Sequence, residues 1–186
     1  MVAKKRWLKS KWNPRIALKQ SIVNFPYLWD TYNELAYLCS GPIMTSSNIL
    51  RGRRAKGPKG FYSVTFQTRQ LHCLLEIYDL FYVVVDGKKN KVIKKELLFY
   101  MDYIVLAHWI MGDGSKRNKG VTLCTDGFTY QEVILLIEIL RLKFDIMPRI
   151  HKEKTFHRIA INKYDLDRLR PHLIPHFVNH FLYKIN

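Results

Sequence analysis

The stretch Asp102 to Gly114, DYIVLAHWIMGDG, decides the fold of this 186-residue chain. Tyr103 to Met111 is almost wholly apolar and is interrupted by His108. It falls far short of the ~20 residues that cross a bilayer, so no membrane partner is expected and the run reads as a helix buried on nearly all sides. Gly112-Asp113-Gly114 follows, placing a carboxylate between two residues whose missing Cβ lets backbones approach closely. Such a carboxylate, at a helix end beside a basic surface, can hold Mg²⁺, which prefers oxygen ligands and bridges to phosphate. The same three residues also read as a plain turn after a core helix.

Outward from this helix the pattern repeats. Downstream, Gly120 to Thr125 is strand-like. Tyr130 to Phe144 places Val133, Leu136, Ile137, Leu140 and Phe144 on one helical face. Ile146 to His151 and Phe156 to Ile161 predict a hairpin, and Tyr164 to Leu173 a short last helix. Upstream, Arg15 to Ile22 alternates as a strand, and Phe25 to Cys39 has helical spacing with Pro26 suited to a first turn. Gly41-Pro42 ends that helix. Ile43 to Leu50 leads into a basic glycine-punctuated turn (Arg51 to Gly60), Phe61 to Gln67 forms the second hairpin arm, and Gln70 to Phe81 returns to helix. The two halves form an internal pseudo-repeat. An offset of 106 sets Gln20 opposite Asp126. Val83 to Lys95, with Asp86-Gly87 and lysines 88, 89, 91, 94 and 95, reads as a linker on the basic surface.

Charge points to a polyanion. Thirty-one Lys+Arg oppose 15 Asp+Glu, a net charge of +16, while 48% of residues are hydrophobic, enough for a packed core. Residues 1–60 hold 12 of the cations and 2 of the acids. A folded nucleic-acid binder fits better than a disordered basic tail. The basic amino terminus lacks an apolar stretch, so a secretory signal is not expected, and strand-like sequence from about Arg15 leaves little room for an organellar presequence. Cys39, Cys73 and Cys124 are dispersed in apolar surroundings, which predicts buried reduced thiols rather than disulfides or a metal centre. His172, His176 and His180 recur every four residues, but Pro171 and Pro175 interrupt them and no HExxH or CxxC accompanies them, so zinc is rejected.

Leu106 to Gly114 (LAHWIMGDG) resembles the nine-residue motif of the LAGLIDADG homing endonucleases, and Ser115-Lys116-Arg117 is similar to its organellar, intron-encoded branch. KSKWNPRIALKQS, FYSVTFQTRQL, GVTLCTDGFT, HRIAIN and FLYKI also resemble that branch, so the likeness covers nearly the whole chain. It implies an α+β fold of two pseudo-symmetric αββαββα-like units, with motif helices at their junction and strands on the DNA major groove. The expected units are residues 1–95, truncated at the motif helix, and residues 96–186, with the motif intact.

The resemblance further implies that Asp113, with Gly112, is one of two metal-binding catalytic acids. Gln20 and Asp126 would be polar residues near the metals, and Lys89 and Lys184 the active-site lysines. Because the first unit begins where its own motif helix should just have ended, the second acid is expected from elsewhere. A second polypeptide could supply it, the chain could self-associate, or cleavage could have been lost while binding was kept. An uncovered face of Tyr103 to Met111 is unfavourable at ~25 cal/mol per Å² left in water, so a polypeptide or ribonucleoprotein partner should cover it.

The expected nucleic-acid contacts are Arg15, Lys19, Arg51, Arg53, Arg54, Lys56, Lys59, Arg69, Lys116, Arg117, Lys119, Lys152, Lys154 and Arg158, which lie on predicted strands or turns. Strand side chains alternate, so one face can meet base edges or phosphates while the other packs on helices. Two functions remain open, both set in an organelle and more in a mitochondrion than a chloroplast. One is a Mg²⁺-dependent site-specific DNA endonuclease. The other is a non-catalytic binder of structured RNA, a maturase or a mitochondrial ribosomal protein, needing no cofactor.

Overall fold

The computed structural model describes residues 13–48, 61–117, 120–153 and 155–186. They form two units that divide between Tyr78 and Asp79. The first is built on β1 (Ala17–Ser21), α1 (Phe25–Leu35), β2 (Met44–Asn48), β3 (Phe61–Gln67) and the start of α2 (Leu75–Phe81). Its sheet is antiparallel in the order β1-β3-β2, with Leu18 opposite Phe66 and Gln20 opposite Val64. Alternation along β1 turns Leu18 inward and leaves Ala17, Lys19 and Ser21 exposed. Leu28 of α1, Val64 and Phe66 are fully buried, and Leu18, Tyr32, Leu35, Cys39 and Ile43 pack against them. Each such burial stabilises by roughly 1.5–3 kcal/mol.

The second unit contains β4 (Tyr82–Val85), β5 (Lys88–Lys91), α3 (Leu97–Tyr100), α4 (Tyr103–Asp113), β6 (Gly114–Arg117), β7 (Gly120–Leu123), α5 (Tyr130–Phe144), β8 (Arg149–Glu153), β9 (Phe156–Asn162) and α6 (Lys163–Leu173). Its four-stranded antiparallel sheet runs β6-β7-β9-β8. The predicted repeat is present. β1-α1-β2-β3-α2 and β7-α5-β8-β9-α6 share element order, and in both sheets the third strand lies between the other two. The repeat is less regular than a single offset. Gln20 lies within β1, whereas Asp126 lies in the turn after β7, so the two are not equivalent strand positions.

Helix ends in the second unit are well terminated. Thr129 and Glu132 form a reciprocal capping box on α5, whose buried stripe includes Val133, Leu136, Ile137, Leu140 and Phe144, the face read from the sequence. Asp102 caps α4 by accepting from the Val105 amide at 2.8 Å. Asn162 caps α6 by accepting from the Asp165 amide at 2.9 Å. The buried Asp165 carboxylate in turn accepts from the Met147 amide at 2.9 Å.

Several expectations need correction. Val83 to Lys95 is not simply a linker. β4 and β5 form a hairpin around Asp86-Gly87, both at positive φ (52° and 75°), a backbone that a tight two-residue hairpin turn requires and that Asp-Gly adopts readily. The hairpin's exit belongs to the second unit, since Glu132 accepts from the Ile93 amide at 2.9 Å and the Lys91 ammonium lies 5.2 Å above the Phe128 ring. The boundary between the compact units therefore precedes residue 95. β6 was not foreseen, because only four residues separate the motif helix from its turn. α4 buries Leu106, Ala107, Ile110 and Met111, but Ile104 and Val105 are exposed, so it is buried on one face rather than on nearly all sides. Cys73 is exposed and Cys39 and Cys124 are half-buried; Leu74, not Cys73, takes the inward position before α2. Among the described residues no helix is long and apolar enough to cross a membrane.

Candidate nucleic-acid interface and metal site

Asp113 is the last residue of α4, and its side chain is exposed. Its carbonyl accepts from the Cys124 amide at 3.2 Å, which ties the helix end to the exit of β7. Gly114 follows at once as the first residue of β6. A Cβ there would lie 2.5 Å from the Ile110 oxygen, so glycine is a steric requirement of this helix-to-strand step. Gly112 has open space around its missing Cβ and meets no such restriction.

Lys184 completes the helix end. It is buried at 7% exposure, and its ammonium donates to the Met111 carbonyl at 2.6 Å and the Ile110 carbonyl at 3.2 Å, while lying 4.4 Å from the Phe181 ring centroid. The Met111 carbonyl is among the four that any α-helix leaves unpaired at its C-terminus, whereas the Ile110 carbonyl also accepts from the Gly114 amide; a cation here meets the negative end of the helix dipole. Burial pushes the Lys184 pKa below the usual ammonium range, and the negative charge of Asp113 opposes that shift.

A cavity of about 230 Å³ in the same unit is lined by Trp109, Asp113, Cys124 and Phe128 among others. An exposed carboxylate suits a hard divalent cation that keeps most of its own waters. Among the described residues no group of three or more His, Cys, Asp or Glu side chains could enclose a metal, and His172 stacks on Tyr103 instead.

Strand register sorts the remaining candidates. Ile159 and Ile161 of β9 are buried, so their partners Ile150, Val121 and Leu123 share the helix-facing side. The opposite face carries Ser115 and Arg117 of β6, Gly120 and Thr122 of β7, Arg149, His151 and Glu153 of β8, and Phe156, Arg158, Ala160 and Asn162 of β9. A groove of about 720 Å³ opens at one end of the sheet, bounded by Arg117, Arg149, Asn162 and Thr122. The Thr122 hydroxyl is buried without a hydrogen-bond partner among the described residues.

An ion-pair cluster lies on the same face. Arg158 donates from Nε and Nη2 to the two Asp126 oxygens at 2.7 and 2.6 Å, and from Nη1 to Glu153 at 2.5 Å. Arg117 reaches Glu153 at 3.3 Å. The guanidinium hydrogen-bonded to Asp126 holds that carboxyl below the usual carboxylate range.

Of the expected contacts, Arg117 and Arg158 lie on this face. By strand parity Lys116 and Lys152 belong with Val121 and His157 to the helix-facing alternation, although Lys116 also borders the groove. Arg149, His151 and Asn162 were missed, although the Ile159/Ile161 alternation could have located them. In the first unit Lys19 is exposed opposite Thr65, Arg15 is exposed just before β1, and Arg69 donates to the Tyr37 carbonyl at 2.9 Å. Gln20 pairs with buried Val64, and its side-chain oxygen accepts from Asn24 at 3.1 Å. Lys89 is exposed on β5 and stands 4.3 Å over the Tyr82 ring. Arg51, Arg53, Arg54, Lys56, Lys59, Lys119 and Lys154 lie outside the described residues.

A family model described as the LAGLIDADG DNA endonuclease family matches residues 6–169. The chain belongs to that family. Cytochrome b mRNA maturase bI2 of Saccharomyces cerevisiae is 32% identical over 176 residues, 92% of this chain and 41% of its own length. Probable intron-encoded DNA endonuclease 3 of Mycosarcoma maydis is 30% identical over 68% of this chain and 93% of its own. Intron-encoded endonuclease ai4 of Dictyostelium discoideum is 29% identical over 85% of this chain and 98% of its own. The chain thus spans less than half of the maturase and nearly all of the two endonucleases. The structure of the homing endonuclease I-WcaI bound to its DNA recognition sequence superposes with a TM-score of 0.79, at 22% identity, covering 96% of this chain and 78% of that one. The LAGLIDADG fold of two α+β units is therefore that of this chain, which is homing-endonuclease-like.

Proposed function

We propose that this LAGLIDADG protein binds a specific duplex through the outer faces of its strands and cleaves it with Mg²⁺ held at Asp113, acting in a mitochondrion. The observation that carries the reading is the exposed Asp113 carboxylate at the end of α4, fixed by Lys184 on the helix carbonyls and by the Cys124 amide on the sheet side. When bound, the cation would polarise phosphate oxygens and lower the pKa of an attacking water. The protein's own part is to orient. Lys184 spends two of its donors on α4 and acts as a positioning residue. Arg149 offers guanidinium donors to base edges and phosphates, and Arg117 those not held by Glu153. The described residues offer one such acid, Asp113, and two-metal cleavage requires a second from outside them. In the first unit the described acids are Asp30 and Glu34 within α1 and Glu76 in the first turn of α2, none of them at a helix end resembling that of α4.

RNA binding in splicing is the second reading, favoured by the likeness to a cytochrome b mRNA maturase over 92% of this chain. Selection from random duplex DNA and from structured intron RNA, carried out in parallel with purified protein and Mg²⁺, tests the choice. Enrichment and cutting of one duplex sequence supports the endonuclease. Enrichment of RNA alone, with no cut duplex, supports the maturase reading against it.

A further inference from the structure

We propose that Asp126 and Glu153 form a charge filter on the sheet face, holding Arg158 in ion pairs that an arbitrary phosphate does not displace and releasing it to a guanine edge. The proposal rests on the nucleic-acid-binding reading and deepens it by naming a specificity determinant. Arg158 belongs to the outer face of β9, where a bare arginine would grip any phosphodiester. It is not bare. Three of its five N–H donors are committed, two of them in a fork onto both Asp126 oxygens at 2.6 and 2.7 Å and the third onto Glu153 at 2.5 Å. Its side chain is 25% exposed and that of Asp126 26%, so the pair sits at the surface, partly withdrawn from water.

The charges decide what this cluster can do. Arg117 and Arg158 together balance Asp126 and Glu153, so these four side chains carry no net charge among themselves on a chain of net charge +16. A phosphate approaching Arg158 must break a two-pronged contact and then face two carboxylates freed beside it. A guanine edge presents O6 and N7 as paired acceptors, the arrangement a guanidinium fork recognises, and brings no full charge. Rejection of the wrong partner by a built-in repulsive element is a general route to specificity. Asp126 thus acts on Arg158, through which it reaches the nucleic acid, and is a positioning residue.

Fluorescence anisotropy with a selected guanine-containing duplex and a mixed-sequence duplex, across a salt series, tests this. Asp126→Asn should bind the mixed duplex about fivefold more tightly and discriminate less. Its log–log salt slope should steepen by about 0.9, the value of one added phosphate contact. Glu153→Gln should move the same way by less. Arg158→Lys keeps the charge but loses the fork, and should reduce discrimination with little change in mixed-sequence affinity. Asp145→Asn is the control. Asp145 pairs with Arg168 at a helix end, its side chain is 95% exposed, and its φ of 50° suits asparagine. If Asp126→Asn changes binding no more than Asp145→Asn does, or if Arg158→Lys leaves discrimination intact, the filter is overturned while nucleic-acid binding stands. If wild type binds neither duplex DNA nor structured RNA, the underlying reading fails and the filter with it.

Discussion

Replacing Lys184 by methionine keeps most of the volume of the side chain and removes its ammonium from the end of α4. The Ile110 and Met111 carbonyls then lose donors at 3.2 and 2.6 Å in a site where the lysine is 7% exposed. Leaving a buried acceptor unpaired costs about 1–3 kcal/mol, and this falls on the Met111 carbonyl, since the Ile110 carbonyl keeps the Gly114 amide. Against this, methionine relieves the partial desolvation of the ammonium, which offsets part of that cost. The closing 4.4 Å approach to Phe181 is kept in part as a sulfur–aromatic contact. A net loss of about 1 kcal/mol is expected. For a chain of this size it corresponds to a melting temperature lower by ~2–4 °C.

Thermal melts followed by circular dichroism measure that loss directly, and pH gives an independent sign. Lys184 titrates below its ordinary value in the folded state because it is buried, so the unfolded chain binds more protons between the folded value and the ordinary 10.5. Stability contributed by this group therefore rises with pH through that window, and the rise should be missing in Lys184→Met. A variant that melts at or above the wild-type temperature, with the same pH dependence, would refute the assignment of Lys184 as the clamp that holds the Asp113 end of α4.

Further outcomes follow from the same geometry. Gly114→Ala drives a Cβ to 2.5 Å from the Ile110 oxygen and should destabilise by about 1–3 kcal/mol, read as a lower urea midpoint, whereas Gly112→Ala meets nothing and should change it by little. Thr129→Ala breaks the capping box and should cost ~1 kcal/mol. Glu132 is raised by its partial burial but brought net below the usual carboxylate range by hydrogen bonds from Thr129 and Ile93. Its stabilisation is present above the ordinary value of 4.5 and is lost as pH falls through the folded value, so acid unfolding should be less steep in Glu132→Gln. Substituting Lys88 and Lys91 of the exposed β5 edge by glutamine should weaken binding to any duplex alike and flatten the salt slope, measured by anisotropy, without altering sequence preference.

The parts of this fold legible in the sequence are those where one residue period dominates. The α5 stripe repeats as a helix must, and β1 and β9 alternate, so both units and their order could be read in advance. What could not be read depended on contacts between distant segments. Lys184 reaches α4 across more than 70 positions, and nothing in FLYKI itself shows that its ammonium turns inward onto carbonyls. Asp126 and Arg158 lie 32 positions apart, and a strand arginine looks the same in sequence whether it faces a carboxylate or a phosphate. β4 and β5 were obscured because their lysines masked a hairpin that Asp86-Gly87 announces. Lys152 was placed on the binding face by charge, when parity with His157 puts it on the other.

The most direct test of the account compares wild type with Asp113→Asn on the selected duplex, scoring binding and strand cleavage in Mg²⁺ and again in EDTA, with the candidate partner polypeptide present and absent. The account predicts that wild type cuts at a defined position in Mg²⁺ and not in EDTA, and that Asp113→Asn binds with wild-type affinity but does not cut. Defined cutting that survives Asp113→Asn would contradict it.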